Sequence, residues 1–268
     1  MKIDVEFLRS ARTAMGSIIS VHSFRGGTGK SNTTANLGCT LAILGYRVAI
    51  VDTDIQSPGI HVLFGLESED TEHALNDYLW GRCDITDVAR DVSHLITAHG
   101  QPAKGAIYLI PSSLKTSEIT RVLREGYDVG LLNDGFQQLL QGLNLDFLLI
   151  DTHPGLNEET LLSITISDAL VLILRPDRQD FQGTAVTVDV ARQLDVPKML
   201  MVVNKVPSAF HQDSLKQQVE TTYGVPVAGI LPVCEEMFQL GSSDIFCLRY
   251  PEHPYSLVVR RVVQHLLD

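Results

Sequence analysis

The chain has 268 residues, a formal charge of −11, and 44% apolar against 20% charged side chains. That is an ordinary globular composition with enough apolar material for a sizeable core. No run of about 18 apolar residues occurs, which excludes a membrane-spanning helix, and the acidic balance argues against a protein that coats nucleic acid. The opening residues carry Asp4 and Glu6 without an apolar centre, so they do not read as a secretory signal. Cys39, Cys83, Cys234 and Cys247 are far apart and form no C-x-x-C pair, which speaks against a zinc or iron–sulfur centre. They read as free thiols in a reducing cytoplasm.

Residues 1–16 form an N-terminal extension. Phe7, Leu8, Ala11 and Met15 alternate there with Arg9 and Arg12. An anchor, a partner-binding helix and an unstructured tail all stay open for it. From residue 17 to 268 a single domain is expected. Ile18–Ser23 reads as its first buried strand, and Thr33 to Leu44 as a helix. Between them lies Ser23-Phe24-Arg25-Gly26-Gly27-Thr28-Gly29-Lys30-Ser31. A glycine-rich turn between strand and helix lets backbone N–H groups close around phosphate oxygens, and the helix N-terminus adds partial positive charge. Lys30 is placed to reach the outer phosphates and the Ser31 hydroxyl to ligate Mg²⁺. No acid occurs between Glu6 and Asp52, as expected of a segment that holds polyphosphate, though chance gives the same pattern.

Further strands are predicted at Arg47–Asp52, Ile107–Pro111, Phe147–Asp151, Ala169–Leu174, Met199–Asn204 and Ala228–Leu231. They are unalternating and rich in Ile, Leu and Val, as strands buried on both faces must be. Thr160–Ile166, Thr184–Leu194 and Ser214–Tyr223 read as amphipathic helices between them. This alternation predicts an α/β fold, a mostly parallel twisted sheet with helices on both faces. Asp70 to Lys104 is more polar, with two weak helical pieces, and is expected to pack outside the sheet edge. Its Trp80 reads as a packing residue in a helix pair. Tyr255–Leu267 puts Leu257, Val258, Val262, Val263, Leu266 and Leu267 on one helical face, which reads as a core helix in preference to a lipid-binding one.

The loop lacks the first glycine of the general phosphate-loop pattern, because Phe24 stands there. It fits x-K-G-G-x-G-K-[ST] with Arg25 in place of the first lysine. With the Asp52-Thr53-Asp54 segment, the Phe147-Leu148-Leu149-Ile150-Asp151 strand, the Thr152-His153-Pro154-Gly155 turn and the Asn204-Lys205 pair, the chain resembles the deviant Walker A ATPases of the MinD/ParA family. The resemblance runs over roughly residues 17–267. It implies ATP/ADP and Mg²⁺ as cofactors. It places Gly26, Gly27, Thr28, Gly29, Lys30, Ser31 and Asn32 around the phosphates, Gly155 by the γ-phosphate, and Asn204, Lys205 and Pro232 around the base. Ser31, Asp52 and Asp151 would hold the metal. Lys30, Asp54 and Arg25 would act in catalysis, Asp54 on the attacking water and Arg25 on a partner subunit's phosphates.

For Arg25 a second reading stays open: it remains in its own subunit, paired with Asp54 or Asp151, and the site turns over little. His153 reads as a loop residue ahead of a proton-transfer role. The resemblance implies a cytoplasmic ATPase switch that forms a homodimer on ATP and acts through an activating or adaptor protein on cargo, DNA, division or motility machinery. The surface beneath it could be a membrane, with peripheral attachment, or less favourably nucleoid DNA. The alternative is an ATP-binding regulatory module with negligible hydrolysis.

Overall fold

A computed structural model describes residues 16–66, 72–102 and 104–268. The extension 1–16 therefore falls outside the described residues, Gly16 excepted. Strand β1 (Ser17–His22) leads through the glycine-rich loop into α1 (Lys30–Leu44), which returns the chain to β2 (Arg47–Asp52). Short helices α2 (Ile60–Leu63), α3 (Leu75–Leu79), α4 (Ile85–Val88) and α5 (His94–Ala98), with the two-residue strand β3 (Arg90–Asp91), carry it to β4 (Ala106–Ile110). Helices α6 (Thr116–Glu125) and α7 (Val129–Gly142) precede β5 (Phe147–Asp151). Helix and strand then alternate through α8 (Glu158–Ile166), β6 (Ala169–Leu174), α9 (Arg178–Gln193), β7 (Lys198–Val206), α10 (Gln212–Tyr223) and β8 (Val227–Pro232). Helices α11 (Glu235–Leu240), α12 (Phe246–Arg249) and α13 (Pro254–Leu267) follow.

The sheet order is β3-β4-β2-β5-β1-β6-β7-β8. All seven predicted strands are present, and they run parallel; only β3 is antiparallel, to β4. The segment from Asp70 to Lys104 thus differs from expectation. It does not lie beyond the edge of the sheet but supplies the edge, through Arg90 opposite Leu109 and Asp91 opposite Tyr108. Trp80 is a packing residue with a polar handle. Its Nε1 donates to Glu118 Oε2 at 2.8 Å, and the Arg121 guanidinium sits 3.9 Å above its ring.

Helices α1 and α13 cover one face over Ile19, Val21, Ile50, Val171 and Val202; α7 and α8 cover the other over Ile18, Val51, Leu148 and Ile150. Helix α1 is not amphipathic because it is buried nearly all round, from Thr33 to Ala42. Helix α13 buries Val258, Val259, Val262, Val263 and Leu266, so it is a core helix. Its buried face is rotated from the expected one: Val259 faces the core, whereas Leu257 and Leu267 are exposed. No helix among the described residues is long and apolar enough to cross a membrane.

Candidate functional site

Seven parallel strands point their C-terminal ends to one side, and the chain changes direction at central β1: it goes first to β2 on one flank and later to β6 on the other. Ligands of open α/β sheets bind at such a reversal. The loop after β1 lies there. Gly29 caps α1 with φ 93° and ψ 23°, a left-handed conformation that side chains resist. A Cβ on it would also lie 2.3 Å from Asn204 Nδ2. Ser23, the residues from Gly26 to Asn32, Asp54 and Pro154 line a cleft of about 190 Å³.

Beneath the loop three charges converge. Strands β2 and β5 are in register at Asp52 and Asp151, so the two carboxylates emerge side by side, and both are buried. Lys30 Nζ donates to Asp151 Oδ1 at 2.7 Å, and the Thr34 hydroxyl donates to the same oxygen at 3.2 Å. Asp151 Oδ2 is buried with no hydrogen-bond partner among the described residues. Asp52 accepts from Asp54 N at 3.0 Å and Gly59 N at 3.3 Å. Burial, then the Asp151 charge, raises the Asp52 carboxyl to about 8 against the opposing pull of Lys30. With its raised pKa Asp52 holds a proton beside the Lys30–Asp151 pair. A divalent cation would displace that proton and fit the two carboxylates and the orphaned Oδ2.

The other predicted site residues are also near, though several are engaged. Asp54 Oδ1 accepts from Ser57 Oγ at 2.9 Å and lies 3.8 Å from His153 Nε2. His153 Nδ1 sits 2.6 Å from the Pro154 carbonyl; that contact needs a proton on Nδ1, so in the neutral ring Nε2 faces Asp54 as a lone pair. Gly155 N donates to Ser23 O at 3.2 Å, which spends the N–H assigned to the γ-phosphate. Asn204 Nδ2 donates to Thr28 O at 2.8 Å, Asn204 Oδ1 accepts from Lys205 N at 2.8 Å, and Lys205 Nζ donates to Gly27 O at 2.8 Å. These two residues stitch the loop to β7. The Asn204 amide still retains one N–H and one lone pair for a base edge. A second cleft of about 270 Å³ opens beside the first, shares Gly29 and Asn32 with it, and includes Asn204, Pro232 and Phe238.

Arg25 does not line the phosphate cleft. Its Nη1 lies 3.4 Å from Asp180 Oδ1 and 3.7 Å from Asp177 Oδ1. Neither Asp54 nor Asp151 pairs with it, contrary to the in-subunit pairing considered from sequence. The acids are held first by Arg175, whose Nε is 3.0 Å from Asp180 and whose Nη2 is 3.1 Å from Asp177. The backbone approach behind this is close: a Cβ on Gly183 of α9 would lie 2.0 Å from the Phe24 ring.

Residues 19–245 match the CobQ/CobB/MinD/ParA nucleotide binding domain. The chain belongs to this family. It is 24% identical to an uncharacterized ATP-binding protein of Methanocaldococcus jannaschii, over 95% of this chain and 89% of that one. It is 25% identical to the septum site-determining protein MinD of Bacillus subtilis, over 94% and 90%. Its fold matches that of the septum site-determining protein MinD from Pyrococcus horikoshii in complex with Mg-ADP, at a TM-score of 0.75 and 20% identity over 94% and 96% of the two chains.

Two features of this MinD/ParA-family chain escaped sequence reasoning. His22 is fully buried next to the site and donates through Nδ1 to Thr152 Oγ1 at 2.7 Å, because the Thr152 hydroxyl itself donates to Val21 O. Burial, with Lys30 and His153 nearby, depresses its pKa to about 3, so it is neutral. Nothing in the sequence distinguishes it from a core histidine. Cys234, Glu236 and His253 bring a thiol, a carboxylate and an imidazole within 4.8 Å of one another. His253 Nδ1 accepts from Tyr255 N at 3.1 Å as the cap of α13. A metal-ligating histidine donates through its second nitrogen, so His253 is committed to the cap and the trio is not a metal centre as it stands.

Proposed function

We propose that the chain is an ATP-dependent switch of the MinD/ParA type. It binds ATP with Mg²⁺, hydrolyses it slowly, forms a homodimer around it, and acts through a partner protein. The observation that supports this best is the Lys30–Asp151–Asp52 cluster under a loop rich in glycine. It supplies a cation for phosphate and an unsatisfied carboxylate oxygen for a metal shell. Gly26 to Asn32 surround the phosphates, Lys30 transfers from Asp151 to phosphate oxygens, and Ser31, Asp52 and Asp151 would hold Mg²⁺, which would draw charge from the phosphate oxygens. Asp54 orients the attacking water. Asn204, Lys205 and Pro232 form the base side. In this reading the loop is of the deviant Walker A type, residues 17–268 act as one domain, and Arg25 is its signature cation, delivered to the partner's phosphates. Division or partitioning is the process that the MinD relative suggests.

The second reading, an ATP-binding module with negligible hydrolysis, draws support from Arg25 resting on Asp177 and Asp180. Phosphate release by wild type and Asp54→Asn, with light scattering with and without ATP and Mg²⁺, separates the two. The switch requires release that falls at least tenfold in Asp54→Asn and a mass that doubles with ATP. Equal, negligible release with unchanged mass establishes the binding module. The buried face of α13 is taken by the core, and the net charge is −11, so a protein partner is favoured over direct lipid or DNA contact. Liposome and DNA co-sedimentation of the ATP form tests that ranking, and pelleting with either surface reverses it.

A further inference from the structure

Phe238 is the most exposed large apolar side chain among the described residues, at 71%. It sits on α11, where Met237 and Leu240 on the same six-residue helix turn inward to pack against the core. Phe238 is thus left out of the packing by the helix's own geometry, because successive residues of a helix face different directions. Its position is the second cleft, which it lines together with Val233, Met237, Gly29, Asn32 and Asn204. Val233 is also exposed, at 47%. Beyond the helix, Gly241 and Ser242 both have positive φ, at 57° and 63°. This turn bends the chain back, and both residues also line the cleft.

The cleft is not isolated. It shares Gly29 and Asn32 with the phosphate cleft, so one groove runs from the glycine loop to the Phe238 ring. An occupant of the whole groove carries anionic oxygens at one end and a flat apolar body at the other. At that end the Asn204 amide, having spent one N–H and one lone pair on Thr28 and Lys205, keeps one of each for a polar edge. An aromatic ring exposed at the mouth of such a groove gains most from a second ring laid against it.

The geometry points to Phe238 as the residue that stacks on the nucleobase, covering its outer face and supplying base affinity, while Asn204 reads the edge. This rests on the nucleotide-site reading above and assigns to one side chain a role that no phosphate contact performs. Stacking is tolerant of base identity, because every base has a π-face. Phe238 therefore raises affinity for ATP and GTP alike, and discrimination between them is left to Asn204.

The test is a calorimetric comparison of ATP, GTP and inorganic tripolyphosphate, each with Mg²⁺, on wild type, Phe238→Ala and Phe238→Trp. Expected are a loss of about tenfold in affinity for both nucleotides in Phe238→Ala, unchanged affinity for tripolyphosphate, and recovery of nucleotide affinity in Phe238→Trp. The chain has one native tryptophan, so nucleotide-induced quenching in Phe238→Trp, absent with tripolyphosphate, reports the stack directly. Nucleotide affinities equal to wild type in Phe238→Ala overturn the proposal. An equal loss for tripolyphosphate overturns it too, because the residue would then act on the loop and not on the base. Wild type that binds none of the three overturns the nucleotide-site reading itself, a result that no Phe238 outcome imitates.

Discussion

The two ends of the groove differ in how far the protein has satisfied its own chemistry. At the phosphate end several groups assigned to the ligand are already in use. Lys30 is on Asp151, Asp54 accepts from Ser57, and Gly155 N is on Ser23. At the base end Asn204 keeps one N–H and one lone pair, and the aromatic Phe238 is bare. A polyphosphate must therefore exchange with internal partners, gaining only the difference between two sets of contacts. A base displaces only water. Selectivity for the charged state of the ligand thus resides at one end, and additive affinity at the other.

Removing Lys30 is the strongest way to break this comparison. Lys30 and Asp151 are 7% and 1% exposed. Deleting one partner of a buried pair leaves an uncompensated charge and costs about 3–5 kcal/mol. Lys30→Ala is expected to lose that much in urea unfolding, quite apart from any loss of nucleotide binding. The double variant Lys30→Met with Asp151→Asn, which neutralises both members, is expected to recover at least about 2 kcal/mol of it. Additive losses would show that Asp151 does not depend on Lys30. For the same reason a lost activity in Lys30→Ala says little about catalysis until its folding has been measured.

Gly29→Ala comes next. The substitution meets two obstacles, a left-handed backbone and a contact at 2.3 Å with Asn204 Nδ2, which is itself held by Thr28. Gly81 has a similar φ of 67° with nothing within 4 Å, so Gly81→Ala carries the backbone strain alone. Strain of this kind costs roughly 1–3 kcal/mol. Gly29→Ala is expected to exceed Gly81→Ala by about 1 kcal/mol or more in thermal unfolding. Equal losses would mean that Asn204 gives way freely and that the stitch between loop and β7 is loose.

A smaller effect, and one confined to pH, comes from Asp52 and His22. Asp52 has its folded pKa raised to about 8 from the ordinary 3.8, so the folded state holds a proton that the unfolded state has released. Its contribution is complete at low pH and fades as pH rises through about 8. His22 is depressed to about 3 from 6.5, so the unfolded state takes up a proton that the folded state refuses. Its contribution is complete above 6.5 and fades as pH falls. Between about 4 and 6.5 the slopes of these two groups oppose and cancel each other, one proton each. Above 6.5 the His22 slope is gone, and the Asp52 share is a fall of about 1.4 kcal/mol per pH unit up to about pH 8. His99, which against the pull of burial is raised by its contacts to Leu95 O and Asp244, adds to the same fall. Asp52→Asn is expected to remove the larger, Asp52 part of that limb. A limb undiminished in Asp52→Asn would assign the proton elsewhere.

What the sequence showed and what it concealed follow from the same physics. The strands that line the site were legible because each is apolar on both faces, from Ile18 to Leu231, and the acids at their ends were legible by position, Asp52 and Asp151 in particular. β3 was not, since its two residues owe their conformation to pairing with Leu109 and Tyr108 and carry no pattern of their own. The residues facing Arg25 were hidden for another reason. Asp177 and Asp180 open α9, where Asp177 accepts from Gln179 N and Asp180 N, and acids three apart at a helix start read as capping. Their second use depends on a contact across 155 positions of sequence. Phe238 was hidden because a six-residue helix is too short for periodicity to say which apolar side chain stays outside.

That last residue gives the smallest expected effect on stability and the sharpest contrast between the two ends. Exposed side chains that satisfy no partner change folding free energy by no more than about 0.5 kcal/mol when truncated. Phe238→Ala is therefore expected to leave the unfolding midpoint of the nucleotide-free protein in place, although Lys30→Ala displaces it greatly. Adding ATP then separates the variants in a second way. Ligand that binds only the folded state stabilises by an amount that grows with concentration over Kd, so saturating ATP raises the wild-type midpoint. For Phe238→Ala the same rise should need about ten times more ATP. A midpoint already lowered without nucleotide would mean that the ring supports α11 itself, and the base end would then resemble the phosphate end in being built into the fold.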